Sequence, residues 1–343
     1  MIEVSIFIQR QKNWKKKTTR NYRRTAESMS LPNLDDVRAA ADRIAGLVRR
    51  TPQISAKFCR DALPGNLPLN LKLECLQVSG SFKARGAMSK LTTLNDEAKG
   101  RGLITASGGN HGLGVAYAGH SAGVPVTIYL PGNTPHSKAD QLRRWGAEVR
   151  FHGDVWDDAN REAVAVAERD GKTYIHPFAD PDVIAGQGTI SLEALNDAPN
   201  TDILLASIGG GGLISGTAMA AKALKPDIKV IGVEPTGAPT LRESVAAGEL
   251  VELPAIHTEA NTLAPRRSEE INLALIQKNV DEIVLVTDEQ MRDAARWLWR
   301  EFGIGVELSA AASIAALQSE AFLPDGGAVC TVLVCGAGKD GIS

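Results

Sequence analysis

The chain has 343 residues, 43% of them hydrophobic, and carries 38 basic against 40 acidic side chains for a formal net charge of -2. That length predicts about two domains of ~150 residues with ample core, and the near-balance of interspersed charges excludes nucleic acid or an anionic membrane as the main partner. No run of about 18 apolar residues predicts a membrane span. The four cysteines, Cys59, Cys75, Cys330 and Cys335, form no C-x-x-C pair, so neither a zinc ribbon nor a disulfide framework is indicated, and a reducing, cytoplasmic location is expected.

The first 29 residues contain the strongly basic "RQKNWKKKTTRNYRR" with no apolar signal-peptide core. They read as an appendage, with three alternatives open: a disordered basic tail, translated sequence upstream of a start at Met29, or an organelle-targeting peptide. Folding pattern begins near "LPNLDDVRAAADRIAGLVRRTP", where Leu34, Val37, Ile44 and Val48 recur at helical spacing and stop before Thr51 and Pro52. Strands are then predicted at "LNLKLE" (69–74), "LITA" (103–106), "VPVTIYL" (124–130), "EVRFH" (148–152), "DILLASI" (202–208), "KVIGVE" (229–234) and "AVCTVLVC" (328–335). Helical patterns such as "HSKADQLRRWG" and "DEQMRDAARWLWREFG" separate most of them. This alternation predicts an α/β fold with mostly parallel, helix-covered sheets, whose ligand site lies at the carboxyl ends of strands.

Three motifs stand at such ends or beside them. "GGGGLISG" (209–216) follows a strand and opens a helix, so Gly209, Gly210, Gly211 and Gly212 let several backbone N–H groups approach an anion closely, phosphate above all. It is neither a Walker loop nor a dinucleotide fingerprint; "GAGKDG" (336–341) matches the latter, but no helix can follow it. "SGGNHG" (107–112) opens another helix and suits a carboxylate. In "SGSFKARGA" (79–87), Lys83 stands among small residues and Phe82, and desolvation there lowers an amine toward its neutral, nucleophilic form. One lysine, one phosphate cradle and one carboxylate cradle together point to pyridoxal phosphate acting on an amino acid.

From about Leu31 to Asp340 the chain resembles the serine/threonine dehydratase and serine racemase branch of the fold-type-II pyridoxal-phosphate enzymes. "SGSFKARGA", "SGGNHG", "DVIAGQGTISLE", "GGGGLISG", "GVEP" and "VELSAAASIAAL" occur in family order. The resemblance implies two interleaved three-layer domains, a small one over residues 102–180 and a large one from 30–101 and 181–343, and a homodimer. It makes Lys83 the residue that bonds covalently to the cofactor and moves the Cα proton. Phe82 would pack near the cofactor ring, Asn110 would bond its 3′ hydroxyl, Gly209, Gly210, Gly211, Gly212 and Leu213 would hold its phosphate, and Glu307 would lie near the ring. Ser107, Gly109, Asn110 and His111 would line the substrate carboxylate site.

Three positions depart from the family pattern. Gly108 stands where the racemases carry a serine as second base, which favours elimination over racemisation. Cys335 stands where a serine or threonine faces the pyridine nitrogen; a thiol likewise does not demand a protonated ring, and a buried core cysteine fits the same place. Glu234 keeps one head of a divalent-cation site, but Thr240 replaces the aspartate six residues on, which weakens Mg²⁺ or Ca²⁺ binding. Feedback control through the C-terminal regulatory extension of biosynthetic threonine deaminases is not expected. The expected activity is the conversion of a β-hydroxy amino acid to a 2-oxo acid and ammonia. A racemase or β-replacing synthase on the same scaffold, and a non-catalytic binder of the same fold, are the alternatives. Arg266 and Arg267 would favour an anionic β-substituent if either faced the cleft; a solvated surface pair is the plainer expectation.

Overall fold

The structure, a computed structural model, describes residues 31–342, so the basic segment 1–29 lies outside the described residues. Its strands, in chain order, are β1 (Gln53–Ser55), β2 (Leu69–Lys72), β3 (Leu103–Ala106), β4 (Val126–Leu130), β5 (Glu148–Phe151), β6 (Thr173–Tyr174), β7 (Ile203–Ser207), β8 (Lys229–Pro235), β9 (Glu282–Val286) and β10 (Cys330–Leu333). The helices are α1 (Leu34–Ile44), α2 (Lys83–Thr92), α3 (Asp96–Arg101), α4 (Asn110–Ala122), α5 (His136–Arg144), α6 (Trp156–Asp170), α7 (Pro181–Asp197), α8 (Gly212–Leu224), α9 (Thr240–Ala247), α10 (Glu270–Asn279), α11 (Asp288–Phe302) and α12 (Leu308–Gln318).

Local chemistry sets many of these bounds. Asn33 caps α1 in a reciprocal box with Asp36, and Val37, Ala40 and Ile44 form its buried stripe. The helix stops one turn before the periodicity does, because Gly46 takes φ +75° and leaves Val48 outside it. Thr287 and Gln290 make the same box at the start of α11.

The strands form two sheets, ordered β1-β2-β10-β7-β8-β9 and β5-β4-β3-β6. Every pairing is parallel except β1 with β2. Helices cover both faces of the inner strands, so β3, β4, β7 and β10 are buried at every residue and read as mainly apolar runs, each broken by one buried Thr or Ser. Edge strand β5 stays largely exposed. The α/β reading with mostly parallel sheets therefore holds. Strands β1 and β6, at three and two residues, are too short to show a period, and β9 is half-buried and was not predicted. Among the described residues no helix is long and apolar enough to cross a membrane.

The larger core joins Leu71, Leu204, Ile231 and Val332 of the six-stranded sheet to Ile214, Leu298 and Ala311 of the helices around it. A second core gathers Leu103 and Ile128 of the four-stranded sheet with Val115 and Leu142, and also with Met88 and Leu91 of α2. The four-stranded sheet is drawn from residues 103–174, and the six-stranded sheet takes strands from both sides of that stretch. We propose the division into 102–180 and its two flanking segments on this basis, with α2, the helix that begins at Lys83, seated against the smaller sheet.

Candidate active site

Three chain segments meet at the carboxyl ends of β3, β7 and β10, and the segment holding Lys83 is stitched to the last of them. The Phe82 N–H donates to the Cys335 carbonyl at 3.1 Å and the Ala337 N–H to the Gly80 carbonyl at 2.8 Å, around a bridge between Ser81 and Gly336. This fixes the first turn of α2. The Lys83 amine, 5.0 Å from the Phe82 ring centroid, donates to the Pro177 carbonyl at 2.5 Å. Burial pulls its pKa from 10.5 down to about 8, with the buried Cys335 and Glu307 side chains pulling weakly the other way. A Cβ on Gly114 of α4 would stand 2.9 Å from the Lys83 carbonyl carbon, so α4 can lie against the lysine only because that residue is glycine.

The glycine loop leaves β7 and enters α8. Gly211, at its N-cap, takes φ +95°, which side chains rarely tolerate. The Gly210 carbonyl is turned outward, accepting from the Ser268 hydroxyl at 2.8 Å and the Asn272 amide at 3.0 Å. The free N–H groups of the loop and of the first turn of α8 are thereby left for a ligand. Phe178, which the sequence reading missed, lies against the loop, and a Cβ on Gly210 would collide with its ring. Gly210→Ala is therefore expected to displace Phe178 and weaken cofactor binding by about tenfold or more, as checked by absorbance titration with pyridoxal phosphate; unchanged affinity would remove the loop from the site.

Asn110, the first residue of α4, donates through its side-chain amide to Glu307 at 2.8 Å, bridging the smaller sheet to the cap of α12. The Ser309 hydroxyl also donates to Glu307, at 2.5 Å, and burial raises the pKa of that carboxyl despite both bonds. The Cys335 thiol lies 3.5 Å from the Ser207 hydroxyl and 3.9 Å from that of Ser309, and burial pushes it up to about 12, so it is neutral at physiological pH. Leu213, in the first turn of α8, is buried with the larger core.

The carboxylate loop departs from expectation at His111. Ser107 accepts from the Gly109 N–H at 3.3 Å and closes a tight turn into α4. The His111 ring points instead into the small-sheet core, where Nε2 meets the Ile175 carbonyl at 2.9 Å and the Thr105 hydroxyl at 3.0 Å. A nitrogen facing a carbonyl must donate, so in the neutral ring Nδ1 is a bare acceptor, and burial keeps the ring neutral by lowering its pKa to about 3. Such an acceptor repels a carboxylate. What His111 can give an anion is its backbone N–H in the first turn of α4, beside those of Asn110 and Gly112.

Glu234 also changes role. It is fully buried, and its two oxygens accept from the Leu241 and Arg242 N–H groups at 2.8 Å each, capping α9. The hydroxyl of Thr240 donates to the Pro265 carbonyl. The described residues contain no group of three His, Cys, Asp or Glu arranged for a metal, and the glutamate read as a ligand acts as a helix cap. Arg266 and Arg267 are both exposed, and Arg266 pairs with Glu252 at 3.0 Å.

The arrangement suits pyridoxal phosphate. It offers a desolvated amine, a row of outward-held glycines at a helix start, a neutral thiol at the end of β10, and the buried Ser79 and Ser81 hydroxyls without protein partners. Comparison with known proteins agrees. The profile of the family described as pyridoxal-phosphate dependent enzyme matches residues 44–336. The L-threonine ammonia-lyase of Thermotoga maritima is 37% identical over 84% of this chain and 71% of its own length. A serine racemase of Oryza sativa subsp. indica is also 37% identical, over 84% and 85%. The solved structure of maize serine racemase superposes with a TM-score of 0.84 at 33% identity, covering 90% of this chain and 94% of that one. With the fold, the amine and the glycine cradle in place, the chain belongs to the fold-type-II pyridoxal-phosphate-dependent enzymes of the threonine dehydratase type.

Proposed function

We propose that the chain is an ammonia-lyase acting on a β-hydroxy amino acid of the serine and threonine kind, releasing a 2-oxo acid and ammonia. The carrying observation is the single base. Lys83 supplies a desolvated amine on one side, while Gly108 offers no side chain on the other; a Cβ there would first meet methyl groups of Leu130 and Thr134, each at 3.3 Å. One base suffices for elimination, whereas racemisation needs a proton acceptor on each face.

Pyridoxal phosphate, when bound, supplies an electron sink that acidifies the substrate Cα–H. The chain's residues do the rest. Gly209, Gly210, Gly211 and Gly212 with Leu213 would hold the phosphate through backbone N–H groups, and Phe82 and Glu307 would border the ring. The neutral Cys335 thiol would stand on the ring side of the cofactor as a partner that does not require a protonated ring. Ser107, Gly109, Asn110 and the His111 N–H orient the substrate carboxylate. Lys83, as a free amine, would take the Cα proton of the substrate; loss of that proton and of the β-hydroxyl together removes water across Cα–Cβ, and hydrolysis of the released enamine gives the 2-oxo acid and ammonia.

Racemisation is the second reading, favoured by the equal identity to the Oryza serine racemase and opposed by Gly108. Homodimer formation and a cytoplasmic location complete the proposal; the latter is supported by four unpaired cysteines. The test is a panel of L- and D-β-hydroxy amino acids assayed at once for 2-oxo acid and for the opposite enantiomer. Oxo acid from one member with no enantiomer is the expected result. An enantiomer formed faster than oxo acid would establish the racemase.

A further inference from the structure

The stretch "YIHPFADP" (174–181) links β6 to α7 and touches both halves of the cofactor site. Its turn is built on a histidine. Nδ1 of His176 accepts from the Phe178 N–H at 3.2 Å and from the Ala179 N–H at 2.9 Å. A ring nitrogen receiving two amides carries no proton, so the neutral ring holds its hydrogen on Nε2. The imidazole thus does what an Asn or Asp oxygen does in a side-chain-closed turn.

Two contacts depend on that turn. The Pro177 carbonyl, fixed between the histidine and its acceptor bonds, takes the Lys83 amine at 2.5 Å. The Phe178 ring lies against Gly210, and the Phe178 backbone lies so close to Gly212 that a Cβ there would come within 2.6 Å of its carbonyl oxygen. The His176 ring meets the Phe178 ring edge-on at 4.7 Å and 89°, bracing the aromatic that faces the loop. Burial, with Lys83 as the next cause, lowers the pKa of His176 to about 4, which keeps the acceptor bare at working pH.

We propose that His176 is a positioning residue that locks the turn 176–179 and so holds the Lys83 amine and the phosphate-binding glycine loop in one fixed relation. It touches neither reacting atoms nor phosphate; it sets where Pro177 and Phe178 stand. The inference rests on the pyridoxal-phosphate site and is independent of which substrate is turned over.

The test compares full-length His176→Phe, which keeps a ring and removes the acceptor, with His176→Asn, whose oxygen can close the same turn. Pyridoxal-phosphate dissociation constants come from absorbance titration, and kcat and KM are measured at saturating cofactor. His176→Phe is expected to weaken cofactor binding about 10- to 100-fold, the range for two lost amide bonds, and to lower kcat more than it raises KM. His176→Asn is expected to stay within about threefold of the parent. Parent-like affinity in the Phe variant, or equal losses in both, would overturn the acceptor role. Should the Phe variant fail to fold, the Asn variant decides alone: near-parent affinity supports the turn, and a tenfold loss rejects it. Because affinity is read without substrate, an error in the proposed reaction leaves this result intact.

Discussion

Lys83→Ala is expected to lose at least ~10³-fold in turnover, together with the visible absorbance of lysine-bound cofactor, while the protein stays folded. The size follows from one amine doing two jobs, covalent attachment and proton transfer, each a large term alone. At pH 7 a lysine of pKa 10.5 is neutral in roughly one molecule in three thousand, whereas at about 8 it is neutral in about one in ten. Removing it therefore removes a prepared base and nucleophile, and Arg85, two residues on, cannot replace it, being enclosed by two carboxylates. The fold should survive because alanine suits the first turn of α2 and the amine makes one protein hydrogen bond, to Pro177. Release of 2-oxo acid, absorbance and unfolding midpoint on the same preparation check all three parts. Turnover above a few per cent of the parent would sink the assignment.

How far the sequence foretold the site depends on what each feature needs from the rest of the chain. The glycine run 209–212 and the small residues around Lys83 were legible because close approach of backbones demands glycine, and a demand for glycine shows in the sequence itself. Cys335 and Asn110 were legible through position relative to strands and helix starts. The turn 176–179 was not, since β6 has only two residues and the partners of His176, Pro177 and Phe178 divide between their own turn and loops far away in sequence. A proline directly after a histidine, between a strand and a helix, was the available signal. The side chains of His111 and Glu234 make bonds that motif spacing did not foretell, to the Ile175 carbonyl and to the Leu241 and Arg242 N–H groups. Motif spacing locates a residue but does not say which ring nitrogen meets a carbonyl, or that a carboxylate is taken by two amides.

The largest stability effect is expected from Arg85→Met. Arg85 is 1% exposed and makes two-pronged contacts with Glu74, at 2.8 Å through Nε and Nη2, and with Glu193, at 2.7 and 2.8 Å. Lys72, fully buried, donates to Glu193 at 2.6 Å and to the Thr51 carbonyl at 2.7 Å, and the Thr51 hydroxyl donates to Glu74. Two positive and two negative groups thus balance where β2, α2 and α7 meet. Deleting one member leaves a buried carboxylate without its counter-charge, which costs about 3–5 kcal/mol, a large share of the ~5–15 kcal/mol that holds a domain together. The double variant Arg85→Met, Glu74→Gln removes one charge of each sign and leaves the Lys72–Glu193 pair intact. It should recover most of the loss, which would assign the penalty to the stranded charge and not to missing volume. Denaturant midpoints for parent, single and double variants decide the matter: equal midpoints for single and double would mean that packing around the guanidinium, and not its charge, secures the first turn of α2 and the lysine it carries.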